Sequence, residues 1–343
     1  MRALVFEQFG GPLEVVPVPD PAPSPEGVVV RVGATGVCRS DWHAWHGSDP
    51  DVRLPHVPGH ELAGTVEAVG AAVRRWRVGD RVTVPFVCAC GRCPRCAAGD
   101  HSVCDAQTQP GFTHWGSFAG LVALEQADVN LVALPDELSY AAAASLGCRF
   151  TTAFRAVAQQ GRVRPGEWVA VHGCGGVGLS AVQVAVAAGA QVVAVDVSEG
   201  ALSLATAFGA AAVVDARSAE VVEAVRALTG GGAHLSLDAL GSPSTCVDSV
   251  LCLRPRGRHV QVGLLPPSQG RPLLPMERVV ALELEVLGSH GMAAHAFPAL
   301  LELVSAGRLR PDLLVTRTVP LDEAGQALLQ VGQVPGITVV TSF

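Results

Sequence analysis

Cys90, Cys93, Cys96 and Cys104 stand in the spacing C-x2-C-x2-C-x7-C, in a loop that also holds Gly91, Pro94 and Gly99. Thiolates this close can wrap one tetrahedral zinc, and a site closed by four protein ligands is structural because no corner is left for a substrate. Three other readings stand beside it: a ferredoxin-like cluster, a zinc ribbon that binds nucleic acid, and thiols without metal. The iron–sulfur pattern C-x2-C-x2-C-x3-C-P fails at the fourth cysteine, and a ribbon lacks its second C-x2-C pair and a basic surround. Structural zinc is the expectation, with Cys88 a bystander outside the spacing.

Other candidate ligands are scattered: Cys38 in Gly36-Val37-Cys38-Arg39-Ser40-Asp41, His60 in Pro58-Gly59-His60-Glu61, and Cys148 in Leu146-Gly147-Cys148-Arg149-Phe150. Taken singly, each reads better as a buried thiol or a satisfied core histidine. Only their combination would make a site.

The run Gly173-Cys174-Gly175-Gly176-Val177-Gly178 fits G-x-G-x-x-G directly after Trp168–His172, which reads as a strand, and at the start of Val177–Ala188, which reads as a helix. Gly173 allows the tight turn, Gly175 lets backbone approach a pyrophosphate, and Gly178 lets helix and strand pack closely, while the helix N-terminus, which Gly176 directly precedes, offers amides and a positive dipole end. Asp196 closes the next strand, where a carboxylate accepts hydrogen bonds from an adenosine ribose diol and repels a 2′-phosphate. That favours NAD over NADP. The competing reading, a tight connection that binds nothing, is weakened by strand, helix and acid being in place together.

These groups need elements to hold them. With 343 residues the chain exceeds the size of one core, so two domains are expected. Up to about residue 150, β-branched runs at Val28–Val32, Gly64–Val69 and Arg81–Val84 bounded by Gly, Pro or Asp predict short strands, and the prolines between Pro17 and Pro25 mark an extended connector. From about 165 the rhythm becomes strand, helix, strand. Strands are predicted at Gln191–Asp196, Ala212–Asp215, His234–Asp238, Arg258–Val262 and Glu283–Leu287, with helices at Glu199–Phe208, Ala219–Leu228 and Pro243–Leu253. This alternation predicts an α/β fold, a doubly wound parallel sheet covered by helices on both faces. After Gly288 come a helix, Phe297–Ala306, and strand-like pieces, as if the chain returned to complete its first domain.

Composition bounds the partners. Hydrophobic residues make up 49% and charged residues 16%, which suits well-buried sheet and helix rather than disorder. A net charge of −7 disfavours nucleic acid, whose binding needs a basic surface. The stretch Met1–Glu7 does not read as a secretory signal, and the longest apolar runs, such as Gly178–Ala190, are too short to span a bilayer. Ten cysteines in a chain of this kind suggest metal before disulfides. The expectation is a cytoplasmic protein acting on small molecules.

Taken in register, Gly59-His60-Glu61 with Gly64 and Gly70, Gly36-Val37-Cys38 with Asp41 and His43, the four-cysteine lobe and the glycine-rich turn resemble the zinc-containing alcohol dehydrogenases of the medium-chain dehydrogenase/reductase superfamily, over nearly the whole chain. The resemblance implies a GroES-like β catalytic domain, residues 1–151 completed by 289–343, around a Rossmann NAD-binding domain, residues 152–288, with the active site in the cleft between them. It implies two zincs per chain, one structural and one catalytic, the latter on Cys38, His60 and Cys148 with a vacant corner. An open-position zinc lowers the pKa of a bound alcohol, so that hydride can pass to the nicotinamide.

Further roles follow from family position. Ser40 would receive the alcohol proton and pass it through the nicotinamide ribose to His43, whose ordinary pKa near ~6.5 suits release to solvent. Asp41 would fix the tautomer of His60, and Glu61 would be a transient ligand. Arg39 would contact the pyrophosphate, Thr152 and Val177 would pack on the nicotinamide, and Val262, Gly263 and Leu264 would lie along it. Phe86 and Trp115 are candidate pocket walls. Plain alternatives are a helix cap for Ser40 and a surface histidine for His43.

The sequence departs from the family where Ala201 replaces a lysine near the adenosine, where Ile337 replaces an arginine, and in Gly288-Ser289-His290-Gly291-Met292. Its length resembles the tetrameric microbial branch, so a homotetramer is expected, with a dimer the alternative. The rival functions are a polyol or amino-alcohol dehydrogenase of the same superfamily and a catalytically silent NAD(P)H-binding structural member.

Overall fold

The computed structural model describes residues 1–266 and 270–343. The chain divides into two compact units, Met1–Thr151 with Gly291–Phe343, and Thr152–His290. The return to the first unit falls at Gly291, against 289 in the sequence reading.

The first unit is built on a seven-stranded sheet in the order Val315–Pro320, Ile337–Ser342, Val28–Val37, Glu61–Val69, Arg81–Thr83 and Val132–Ala133, with Leu121–Leu124 pairing the long strand Val28–Val37 as well. A separate hairpin joins Arg2–Val5 to Glu14–Pro17. The C-terminal strands thus complete a sheet begun by residue 28. Val28, Val30, Val32, Leu62, Val66, Val82, Val84, Val122 and Leu124 form one apolar layer, as alternation on a half-buried sheet requires. The long strand runs past the expected Val32 to Val37. Its second half, Gly33-Ala34-Thr35-Gly36, is poor in β-formers because bulk has no room there: a Cβ on Gly33 would collide with the Tyr140 ring.

Register delivers the scattered candidates to one place. Gly36 lies opposite Glu61 in the antiparallel pair, so Cys38, just past one strand, and His60, just before the other, emerge side by side.

The second unit carries a six-stranded parallel sheet. Its strands are β1 (Trp168–His172), β2 (Gln191–Asp196), β3 (Ala212–Asp215), β4 (Ala233–Asp238), β5 (Leu253–Gln261) and β6 (Glu285–Gly288), in the spatial order 3-2-1-4-5-6. That order is the doubly wound Rossmann arrangement, which reverses direction between β1 and β4. The helix Gly176–Ala187 follows β1, and Glu199–Ala207, Val221–Leu228 and Pro243–Leu251 connect the later strands. β5 starts at Leu253 instead of the expected Arg258, and the preceding helix stops at Leu251. Pro255 and Gly257, poor strand residues, mask this extension, and the pairing with β4 shifts register between Ala233 and Leu235. No helix among the described residues is long and apolar enough to cross a membrane.

Candidate active site and cysteine lobe

Cys38 is the N-cap of the short helix Arg39–Trp45. Asp41, at the third helical position, reaches back so that its Oδ2 accepts from the Cys38 N–H at 3.0 Å. Its Oδ1 accepts from the Gly59 N–H at 3.0 Å and lies 2.8 Å from His60 Nδ1. One fully buried carboxylate therefore ties both strand ends together and, against the pull of burial and with help from Cys38, raises the His60 pKa well above its ordinary value; it keeps a proton on Nδ1, so Nε2 is the nitrogen a metal would take. That Nε2 is buried and has no hydrogen-bond partner among the described residues.

Cys148 arrives from a different element. After the helix Tyr140–Ala144 the backbone widens into a π turn over Leu146–Phe150, where the Phe150 N–H donates to Ser145 O at 3.3 Å. Such bulges re-aim side chains and recur at functional positions. Here the Gly147 carbonyl takes the Phe86 N–H at 3.0 Å, and the Cys148 thiol packs with Cys38, Phe86 and Val87. The ligand-capable atoms of Cys38, His60, Glu61 and Cys148 all lie within 4.8 Å of one another, and every one of these residues is buried. A hydrogen bond from Cys148, opposed by burial and helped by His60, holds the Cys38 thiol well below its usual pKa, while the same bond raises that of Cys148. A thiolate beside a thiol, with an unpartnered imidazole nitrogen facing the group, is the donor set a borderline-soft dication takes.

Glu61 is not a free member of this set. Burial pushes its carboxyl up to about 7 against the pull of Arg149, whose Nε donates to Glu61 Oε1 at 2.8 Å and whose Nη2 grips Oε2. A Cβ on Gly36 would strike this pair. Arg149 is a functional candidate that sequence reasoning passed over. The signal was there, a lone charge in the otherwise uncharged run Tyr140–Phe154, which asks for a buried partner. Phe112 was likewise passed over; its ring centroid lies 5.1 Å from that of His60, nearer than Phe86 at 6.1 Å.

Ser40 and His43 sit on the same short helix, both half-buried. Burial, reinforced by Arg39, holds His43 below its ordinary pKa. The exposed Arg39 stacks its guanidinium 4.1 Å over Trp42. Trp115 donates its indole N–H to Pro55 O at 3.0 Å and is partly exposed.

In the cysteine lobe, Cys93 caps the turn Pro94–Ala97. The Sγ separations are 3.5 Å for Cys93–Cys96, 3.7 Å for Cys93–Cys104 and 4.0 Å for Cys90–Cys96. All ten cysteines are free thiols. With metal–sulfur bonds of about 2.3 Å a tetrahedron has edges of about 3.8 Å, close to these three separations. The amides of Cys96 and Asp105 lower the Cys93 thiol to about 6, which readies a thiolate.

In the Rossmann unit, Gly173 adopts φ +88° and a Cβ on Gly178 would collide with the Gly173 carbonyl. Gly175, exposed at the helix N-terminus, is different: a Cβ there would meet nothing within 4 Å, so the fold itself gives no reason for glycine. Gly176 and Val177 open the helix, partly exposed. Asp196 accepts from the Cys174 N–H at 2.6 Å and the Ser198 N–H at 2.8 Å, one on each oxygen. Thr152 is buried, and its hydroxyl has no partner among the described residues. The Val262 and Gly263 amides donate to Asp238 O at 3.0 and 2.8 Å, and Leu264 is exposed.

Residues 24–136 match the alcohol dehydrogenase GroES-like domain and residues 176–306 the zinc-binding dehydrogenase domain. An alcohol dehydrogenase of Geobacillus stearothermophilus is 34% identical over 342 residues, 99% of each chain. The chain belongs to the zinc-containing alcohol dehydrogenases of the medium-chain dehydrogenase/reductase superfamily. An alcohol dehydrogenase of Rhizobium meliloti is 39% identical over 315 residues, 90% of this chain and 89% of that one. A crystal structure described as an NAD-dependent alcohol dehydrogenase superposes with TM-score 0.90 at 33% identity and full coverage of both chains. This dehydrogenase is thus an oxidoreductase with a GroES-like unit and a Rossmann unit.

The family's departures have local explanations in this dehydrogenase. Ile337 is a buried sheet residue opposite Val315, and Ala201 is buried in the first turn of its helix, its N–H donating to Ser198 Oγ at 3.3 Å. In the 288–292 segment, Gly291 has φ +59° with the Phe86 ring 2.9 Å from where its Cβ would stand, and Met292 is buried.

Proposed function

We propose that this dehydrogenase is zinc-dependent and NAD-linked, and that it catalyses reversible hydride transfer between a primary or secondary alcohol and NAD. The observation that carries the reading is the buried, unpartnered Nε2 of His60 among the thiols of Cys38 and Cys148. When bound, zinc would supply Lewis acidity toward the substrate hydroxyl and NAD the hydride acceptor.

The chain's own residues do the rest. Cys38, His60 and Cys148 hold the metal, and Asp41 keeps the His60 ring in the tautomer that presents Nε2. Ser40 accepts the alcohol proton and His43, kept neutral at pH 7 by burial and by Arg39, passes it to solvent. Arg149 restrains Glu61, so any role of Glu61 as a transient ligand requires it to leave the Arg149 grip. Gly173, Gly175, Gly176 and Gly178 receive the pyrophosphate, with Arg39 contributing charge. Thr152, Val177, Val262, Gly263 and Leu264 flank the nicotinamide. Each Asp196 oxygen accepts only one amide, so capacity remains for a ribose diol. Cys90, Cys93, Cys96 and Cys104 hold a second, structural zinc. Chain length supports a homotetramer, which light scattering on the eluted protein tests.

Turnover of a panel of alcohols and aldehydes with NAD and with NADP, on protein whose zinc has been quantified, tests the proposal. Two zinc equivalents and a clear NAD preference are expected. Equal or better use of NADP would remove Asp196 from its role, and activity that survives complete zinc removal would overturn the whole.

A further inference from the structure

Far from the glycine-rich turn, the N-terminal edge of the Rossmann sheet carries a recess of about 310 Å³. β1 separates it from Gly173 by five residues, about 17 Å of strand. Five arginines line it, Arg162, Arg164, Arg254, Arg256 and Arg258. The chain contains no lysine, carries 24 arginines and has a net charge of −7, so this concentration of positive charge runs against the composition.

The local acids do not neutralise it. Glu167 and Glu285 share the recess, and Arg258 pairs with Glu167 at 2.6 Å while Arg162 pairs with Glu285. Arg256 takes Glu283, outside the lining, at 2.5 Å. Arg164 and Arg254 have no carboxylate partner among the described residues. Arg254 is nonetheless fixed: its Nε donates to Gly232 O at 2.7 Å and its Nη2 to Thr229 O at 2.9 Å.

The third nitrogen of Arg254 makes the decisive contact. Nη1 lies 2.8 Å from His234 Nε2, and His234 Nδ1 accepts the Trp168 N–H at 2.9 Å. Burial and the Arg254 charge hold His234 below its ordinary pKa, so the ring is neutral near pH 7 and, with Nδ1 accepting, its proton sits on Nε2. Two N–H donors then face each other, and protonating the ring would not relieve them. What the pair lacks is an acceptor.

We propose that this recess binds a phosphate dianion, carried on a small phosphate monoester, whose oxygens accept from His234 Nε2–H and Arg254 Nη1–H and draw in the free guanidinium of Arg164. Arginine's planar fork suits phosphate better than a point charge does, and the recess is larger than a bare phosphate needs. The site is independent of the cofactor turn, since every residue lies at the opposite sheet edge.

Calorimetric titration of the full chain, held saturated with NAD so that the glycine-rich turn is occupied, tests this with inorganic phosphate and with glycerol 3-phosphate at matched ionic strength. Both are expected to bind. A tighter glycerol 3-phosphate identifies the ester as the ligand, and an equal or tighter inorganic phosphate identifies the free ion in the same site. Arg254→Gln is expected to weaken binding at least about tenfold. Because Arg254 also ties two carbonyls, Arg164→Gln, at an exposed side chain without a partner among the described residues, serves as a second variant and should weaken binding several-fold with the melting temperature and the KM for NAD unchanged. Absence of binding by both probes, or binding unaltered in both variants, would overturn the proposal.

Discussion

Arg149 and Glu61 close on each other out of reach of solvent, 88 residues apart in sequence, with Nε to Oε1 at 2.8 Å. Arg149 Nη1 also donates to Val37 O at 3.1 Å, at the end of the strand that delivers Cys38. The pair therefore joins the elements bearing Cys38, His60 and Cys148, and it occupies the carboxylate that otherwise lies within ligand distance of the thiols.

Cutting one side of a buried pair leaves the other group without its partner, which costs about 3–5 kcal/mol; here the Glu61 carboxyl, already pushed up by burial, must then take up a proton or stay buried as an unpaired charge. Arg149→Met is expected to lower stability in that range. Adding Glu61→Gln to it should recover most of the loss, because no ionisable group is then left buried without its partner. Urea unfolding of the single and double variants decides this; a double variant as unstable as the single one would place the loss in packing instead.

Asp41 offers a sharper test of the metal set. In Asp41→Asn, one of the oxygens that accept from His60 Nδ1, Gly59 N and Cys38 N becomes a donor. Zinc affinity is expected to fall about 10–100-fold, read by competition with a chelator while the far-ultraviolet circular dichroism is unchanged.

How far the sequence carried differs from element to element. The glycine-rich turn was legible because its determinants are local: a strand, a turn and a helix within a few residues, with β1, β2 and β3 found at Trp168–His172, Gln191–Asp196 and Ala212–Asp215 as expected. The cysteine lobe was legible for the same reason. For Arg149 the sequence carried only the need for a buried partner; which partner was hidden, since Glu61 lies on a distant strand and nothing nearby in sequence signals it. The ends of Val28–Val37 and of β5 were hidden by Gly, Ala and Pro, whose weak strand propensity is overridden by close packing and by pairing on both sides.

The cysteine lobe should depend on metal. Cys93→Ala removes a thiol that stands 3.5 Å from Cys96 Sγ and 3.7 Å from Cys104 Sγ, and a structural zinc is part of the folding free energy of the segment it ties. The expected outcome is loss of one of the two zinc equivalents by atomic emission, together with protease cleavage in residues 88–108. Retention of both metals would show that the four thiols do not share an ion.

Acid should destabilise the Rossmann unit through His172. Burial drives this histidine down to about 3, with its Nε2 3.6 Å from Cys252 Sγ. Its folded pKa is depressed, so below about 6.5 the unfolded chain binds a proton that the folded chain refuses, and stability falls as the pH drops from about 6.5 toward 3. The slope from this one group is at most about 1.4 kcal/mol per pH unit. His172→Gln removes the titration, so urea midpoints measured from pH 7 down to pH 4 should decline less steeply in the variant than in the parent chain. Protonation of the metal thiolates adds its own slope in both proteins, which is why the difference between the two curves, and not either curve alone, carries the result. Parallel curves would mean that His172 reaches solvent and titrates normally in the folded state.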